Sequence, residues 1–351
     1  ILGTSEPTYY ASAHTLTREA AASVELALAK DGRRVVDTVV AVSVEGRAPR
    51  NDAALFALAM ALKLGDTETR RRAREALGKV ARTLAHLYQF AAAVDVLGGW
   101  GRGTRGAFGA WMNADVERLA YQAIKYRQRD GWTFRDLLRK AHARPASSDH
   151  DALFRWVTSG KLDATPALAQ VAAFESTAAA TCVDDVVAAI LQHDLPREAV
   201  PTAFLGERVV WEALLERMPL TAMLRSLGKL SAVGVLSGGS KAEELVVSRL
   251  LSGAAITRAR VHPLAILVAK NTYEQGHGIK GSLTWKPSTH VVQALEAAFQ
   301  SSFRCVVPSG KRHLLALDVS GSMGFSSVAG MTGITPRVGS AAMAMATVRS
   351  E

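Results

Sequence analysis

Asn51-Asp52-Ala53-Ala54-Leu55-Phe56-Ala57-Leu58-Ala59-Met60-Ala61-Leu62-Lys63-Leu64-Gly65-Asp66-Thr67 sets the reading of the whole chain. Asn51 or Asp52 caps an Ala- and Leu-rich run over Ala53–Leu64. Gly65 stops that run, and Asp66 with Thr67 opens a charged helix through Arg82. The same succession of cap, helix and breaker extends in both directions. Upstream, Leu16 to Lys30 is amphipathic and reaches a helix stop at Asp31-Gly32. Val35–Val44 is rich in Val, which favours strands, but its helical neighbours favour helix. Downstream, further helices are expected at 115–129, 134–143, 150–159, 166–174, 183–193, 207–217, 220–230, 241–252, 262–274 and 288–301. Short helices joined by short turns over nearly the whole chain predict a mostly α fold of irregular HEAT-like helical repeats. One large helical bundle is the alternative.

The pattern changes near residue 305. Phe303–Val307 and Pro308-Ser309-Gly310 read as a linker, and His313-Leu314-Leu315-Ala316-Leu317 reads as a buried parallel strand. A Gly- and Ser-rich loop (321–340) and an apolar helix over Ala341–Val348 follow. Strand, loop and helix are expected to open an α/β domain. The expected domains are therefore 1–307, helical, and 308–351, the start of the α/β domain. The chain begins without Met and stops within a helical pattern, and it is read as a fragment of a longer protein.

Composition narrows the function. No apolar run approaches the ~18 residues of a membrane span, and the start does not resemble a signal peptide, so a cytoplasmic protein with no membrane partner is expected. Cys182 and Cys305 form no CxxC and read as buried structural thiols. The formal net charge of +10 attracts polyanions, nucleic acid foremost. The chain contains no P-loop, GxSxG or HExxH and no carboxylate pair placed for acid–base work, so an enzyme is not expected.

The charge is concentrated. Between Trp100 and Pro145 lie ten Lys or Arg (Arg102, Arg105, Arg118, Lys125, Arg127, Arg129, Arg135, Arg139, Lys140 and Arg144) against four acids. On a helix Arg118, Lys125 and Arg129 share one face, as do Arg135, Arg139 and His142 on the next. Like charges one turn apart repel, and phosphate is the obvious compensating partner. A solvated cationic face is the plainer alternative. The interleaved aromatics (Trp100, Phe108, Trp111, Tyr121, Tyr126, Trp132 and Phe134) stack on bases or fill the helix–helix core. A second basic set comprises Arg225, Lys229, Arg258, Arg260, His262, His277, Lys280 and Lys286. There the glycines of 276–281 bring amides to phosphate or simply make a turn, and His262 is equally a structural residue.

After the expected strand comes Asp318-Val319-Ser320-Gly321-Ser322. One carboxylate and two hydroxyls at alternate positions offer three hard oxygens to Mg²⁺; a capped turn is the plainer reading. DxSxS in this setting resembles the metal-ion-dependent adhesion site (MIDAS) of von Willebrand factor A domains, which binds a partner's acidic group through the metal.

Gly99-Trp100-Gly101-Arg102-Gly103, Lys125-Tyr126-Arg127-Gln128-Arg129-Asp130-Gly131-Trp132 and Asp136-Leu137-Leu138-Arg139 through His142 resemble the Ro autoantigen family and its TROVE module. Thr8-Tyr9-Tyr10, Asp52–Ala59, Met218-Pro219-Leu220-Thr221-Ala222, Ile256 to Pro263, Gly276-His277-Gly278 and Gly310-Lys311-Arg312 extend the likeness along the chain. The resemblance implies a monomeric ring of HEAT-like repeats closed by a von Willebrand factor A domain. It implies Y RNA on the outer face, single-stranded 3′ ends of misfolded noncoding RNA in the central hole, and work beside an exoribonuclease. By matching motif, Lys125, Arg129 and His142 correspond to the family's Y RNA contacts. Arg118, Arg135, Arg139, Arg102 and Arg105 join them as candidates, with Asp318, Ser320 and Ser322 as metal ligands. A metal-dependent protein-interaction module on a helical solenoid is the competing function.

Overall fold

A computed structural model describes residues 17–47, 50–278, 281–328, 331 and 333–351. Thr8-Tyr9-Tyr10 and Lys280 lie outside the described residues. By contacts the described chain divides into two compact units, residues 17–181 with 192–201, and residues 182–191 with 202–351.

The first unit contains α1 (Ala22–Glu45), α2 (Asp52–Leu64), α3 (Thr67–Val80), α4 (Leu84–Val96), α5 (Arg102–Met112) and α6 (Val116–Lys125). A hairpin of β1 (Gln128–Arg129) and β2 (Trp132–Thr133) leads to α7 (Phe134–Ala141), α8 (Ser148–Ser159) and α9 (Ala169–Ala178). α2 is its centre. Every residue from Ala54 to Leu62 is buried, because α1, α3 and α4 pack around it. Asn51 ties this group together: it accepts from Ser43 Oγ (2.6 Å) and donates to the terminal carbonyl of Val80 (2.8 Å). Asp66, Thr83, Asp115 and Ser147 cap α3, α4, α6 and α8 through backbone N–H groups, as their residue types favour.

In α10 (Val183–His193), residues 183–191 count with the second unit. That unit continues through α11 (Arg208–Arg217), α12 (Leu220–Ala232), α13 (Lys241–Leu251), α14 (Gly253–Arg258), α15 (Pro263–Glu274), α16 (Thr289–Ser302) and α17 (Pro336–Ser350). α16 packs on α13, α14 and α15. At its N-terminal end lies a partly buried polar network. Glu243, 2% exposed, accepts from Ser288 Oγ (2.8 Å), and the same oxygen lies 2.9 Å from His290 Nδ1. Tyr273 Oη shares a hydrogen bond with Ser231 Oγ (2.7 Å) and accepts from the Ser288 N–H (3.0 Å).

The mostly helical expectation holds, with Val35–Val44 inside α1. Several details are corrected. Asp31-Gly32 does not end a helix; α1 bends at Asp31 (φ −156°, ψ 85°) and continues. Gly32 is there for close approach, since a Cβ on it would stand 2.3 Å from Thr69 Oγ1 of α3. Helices α4, α5 and α14 form where none was expected. Residues 313–317 form no strand, and Leu314 is 96% exposed. A strand is held by its ladder, and no described segment pairs with this one. α17 does form over the expected apolar helix. Cys182 is exposed and Cys305 half-buried, so neither is the buried thiol expected.

Candidate nucleic-acid interface

The basic stretch is built from α5, α6, the hairpin and α7. α6 ends at Tyr126 (φ −117°, ψ 71°), so Arg129 stands on β1, not on the helix of Arg118 and Lys125. The hairpin turns at Asp130 (φ 52°) and Gly131 (φ 78°). Positive φ at both central residues is the type I′ geometry that Asp-Gly favours. Thr133 then caps α7 in a capping box, donating to and accepting from Asp136. Arg135 and Arg139 lie one turn apart on α7. His142 is the left-handed residue that closes it (φ 48°), its N–H returning to Leu138 O. Each expected stripe thus keeps two residues on its helix and has its third just beyond. Leu119, Ile124, Leu137, Leu138 and Ala141 are buried, as the stripes require.

None of the ten Lys and Arg of this stretch makes an ion pair among the described residues. Elsewhere in the first unit such pairs are common: Arg71 with Glu68 and Glu75, Arg72 with Asp37, and Arg155 with Asp151 and Asp163. Of the four local acids, Asp115 and Asp136 are engaged as caps. Arg102, Arg105, Arg118, Arg129, Arg135, Arg139 and His142 are all exposed. Arg118 is held in place by a hydrogen bond from its Nη2 to Arg82 O.

Lys125 is different. It is half-buried, with Nζ 5.3 Å from the Tyr121 ring centre, 5.8 Å from that of Tyr126 and 3.3 Å from Tyr121 Oη. Burial disfavours its charge, but Tyr121, Tyr126 and Glu198 more than offset this and hold it above the ordinary lysine range. It is a fixed, fully charged ammonium. The other aromatics belong mainly to the core. Trp100 packs on Phe108 (4.5 Å) and Trp132 (5.7 Å), and the Trp111 indole donates to Ala81 O (2.6 Å).

In the second unit, Arg225 and Lys229 line a cleft of about 770 Å³ with Tyr273, Gly278 and Trp285. No carboxylate lines it, and neither cation has an ion-pair partner among the described residues. Trp285 packs against Gly228, where a Cβ would meet its ring at 2.7 Å, and its indole donates to Tyr273 O (3.0 Å). Sequence reading found the cations of this cleft but not its aromatic wall. Of the rest of that set, His262 caps α15 by accepting the Leu264 N–H, and burial lowers its pKa; it is structural. Arg258, Arg260, His277 and Lys286 do not line the cleft.

At the DxSxS motif, Asp318 Oδ1 accepts from the Ser320 N–H (2.8 Å), and Ser320 Oγ lies 3.0 Å from Ser322 Oγ. The Ser320 backbone and hydroxyl hold the Asp318 carboxyl below the usual range. The three side chains therefore meet at one exposed turn, Gly321–Gly324. They offer an anionic oxygen and two hydroxyls, a donor set that suits Mg²⁺ retaining several waters. No cluster of three or more His, Cys, Asp or Glu stands ready for a metal among the described residues.

Comparison with known proteins shows what the chain as a whole is similar to. Residues 190–272 match the TROVE domain family. The RNA-binding protein RO60 of Deinococcus radiodurans is 42% identical, the match covering 100% of this chain and 67% of that protein. RNA-binding protein RO60 of Caenorhabditis elegans is 30% identical, over 92% of this chain and 62% of its own length. The crystal structure of the Deinococcus radiodurans RO (RSR) protein superposes with a TM-score of 0.85 at 40% identity, covering 100% of this chain and 72% of that one.

Proposed function

Since the chain belongs to the Ro family, we propose that it is an RNA-binding protein whose basic stretch takes a structured small noncoding RNA of Y type. The observation that carries this is the set of ten cations between residues 102 and 144 with no ion-pair partner among the described residues. A surface that leaves so many charges uncompensated, while two of the four nearby acids are engaged as caps, is arranged for phosphate. Lys125, Arg129 and His142 are the contacts on which binding depends most, with Arg102, Arg105, Arg118, Arg135 and Arg139 around them.

The cleft of Arg225, Lys229 and Trp285 suits a single strand, with cations for phosphate and an aromatic wall for a base. In this reading it takes the 3′ ends of misfolded noncoding RNA. The chain then serves RNA quality control in the cytoplasm, beside an exoribonuclease that removes what it has selected, and itself performs no chemical step. Asp318, Ser320 and Ser322 would hold a divalent cation and, through it, an acidic group of a partner.

The test is binding of a labelled hairpin RNA with a single-stranded 3′ tail. Lys125→Ala, Arg129→Ala, His142→Ala in combination is expected to abolish hairpin binding. Arg225→Ala with Lys229→Ala is expected to weaken only the tail. A folded wild-type chain that binds neither element sinks the proposal.

A further inference from the structure

We infer that a separate cleft between α3, α5 and α6 of the first unit is a pocket for one unpaired uridylate. This rests on the RNA reading but, Arg118 apart, on different residues. The cleft encloses about 290 Å³, enough for one base and little more. Its apolar lining includes Leu77, Ala107 and Trp111, and Gln122 lies within it.

Gln122 is 5% exposed, and its Oε1 accepts the N–H of Leu84 at the start of α4. A backbone N–H can be met only by the amide oxygen, so this bond fixes which way the amide is turned. The nitrogen Nε2 is left to the cleft as a donor, and it finds no acceptor among the described residues. The rim adds Arg74 and Arg118. Arg74 has no ion pair among the described residues, and Arg118 is positioned by its bond to Arg82 O. The acids beside them are engaged: Glu75 pairs with Arg71 (2.6 Å), and Asp115 caps α6.

Apolar walls, one oriented amide donor and two guanidinium groups at the mouth, with the carboxylates of Glu75 and Asp115 drawn into other contacts, offer mainly donors. The complement is a flat ring carrying a carbonyl oxygen, joined to a phosphate. Uracil presents two such oxygens, whereas adenine has none and offers only ring nitrogens as acceptors, N1 standing beside its amino donor. The volume favours a pyrimidine over guanine.

Gly78 offers a clean test. It lines the cleft from α3, and a Cβ there meets nothing within 4 Å. Leucine there starts from an unhindered Cβ, extends into the cleft, and improves helix propensity. With the full chain, labelled oligouridylate is expected to bind more tightly than oligoadenylate, and free UMP to compete for it. Gly78→Leu should weaken oligouridylate about tenfold, the scale of losing one or two hydrogen bonds, and leave binding of a blunt-ended RNA duplex unaffected. Arg74→Gln should weaken it similarly and serves as a second variant on an exposed side chain. If oligouridylate binds Gly78→Leu and Arg74→Gln as it binds the wild type, or if oligoadenylate binds equally well, the pocket is overturned while hairpin binding keeps the broader reading. If the folded wild type binds no RNA, both fall.

Discussion

Changing Arg135 and Arg139 together to glutamine probes the cationic surface with little risk to the fold. Both side chains are exposed, neither has an acidic partner to be orphaned, and glutamine is as good a helix former as arginine. Their mutual repulsion across one turn disappears, so the variant should be more stable than wild type by about 0.2–0.5 kcal/mol. RNA affinity should move the other way. If each guanidinium neutralises one phosphate, losing two lowers the slope of log K against log salt by about 1.4–1.8. Across a fourfold change, from about 50 to 200 mM salt, the wild type should then lose roughly an additional seven- to twelvefold in affinity relative to the variant. Fluorescence anisotropy with a labelled hairpin RNA at four or five salt concentrations gives both slopes. Arg71→Gln is the control, because Arg71 is already paired with Glu68 and Glu75, and its slope should match that of the wild type. Equal slopes for Arg135→Gln/Arg139→Gln and wild type would refute the assignment of α7 to phosphate contact.

Gly131→Val forces a β-branched residue to a φ of 78°, which costs about 1–2 kcal/mol. A ladder of two residue pairs does not hold against that, so hairpin RNA affinity should fall several-fold with helical circular dichroism unchanged. His86 is half-buried, and burial with Arg82 nearby depresses its pKa from 6.5 to about 4. The folded state therefore binds its proton less readily than the unfolded one. Stability is fully present above pH 6.5 and is lost as pH falls towards 4, by about 1–2 kcal/mol after discounting for partial solvent screening. Urea midpoints of His86→Gln should show a shallower decline over that window than wild type. Gly32→Ala should destabilise by about 1–3 kcal/mol through the clash with Thr69, and adding Thr69→Ala should recover part of the loss. An additive double mutant would mean that the close approach of α1 to α3 is not what the glycine provides.

Helices marked by a cap, a breaker or a periodic apolar face were legible from sequence: α2, α3 and α8 through α13 lie close to where that reading places them. α4 was not, because Ala85, Phe90, Ala92, Ala93 and Val96 spread apolar character around the buried stripe of Leu84, Leu87, Tyr88, Ala91 and Val94 and blur it. α5 was hidden for the opposite reason. Gly103, Gly106 and Gly109 argue for a loop, and the helix is secured by Thr104, Ala107, Phe108 and Met112 packing inward. At the candidate interface, composition located the cations but periodicity misplaced two of them. Arg129 and His142 sit just past helix ends fixed by Tyr126 and by the left-handed backbone at position 142, and spacing alone does not report where a helix stops. The Asp130-Gly131 turn was readable as a hairpin signal, yet the strands beside it are too short to show alternation. Strand 313–317 failed because its apolar run is only a capacity for pairing, and a sheet requires neighbours.

The burial of α2 on every side has a consequence for how the chain breathes. Its amides have no route to solvent through local fraying, since α1, α3 and α4 must all separate first. Their hydrogen exchange should therefore follow global opening and report the full stability of the first unit. The hairpin of Gln128–Arg129 and Trp132–Thr133 is at the other extreme, a two-pair ladder at the surface that exchanges by small local openings. Bound RNA should slow exchange at the hairpin and leave the α2 amides, residue by residue, near their unbound rates, so one exchange experiment maps both the rigid centre and the surface that RNA touches.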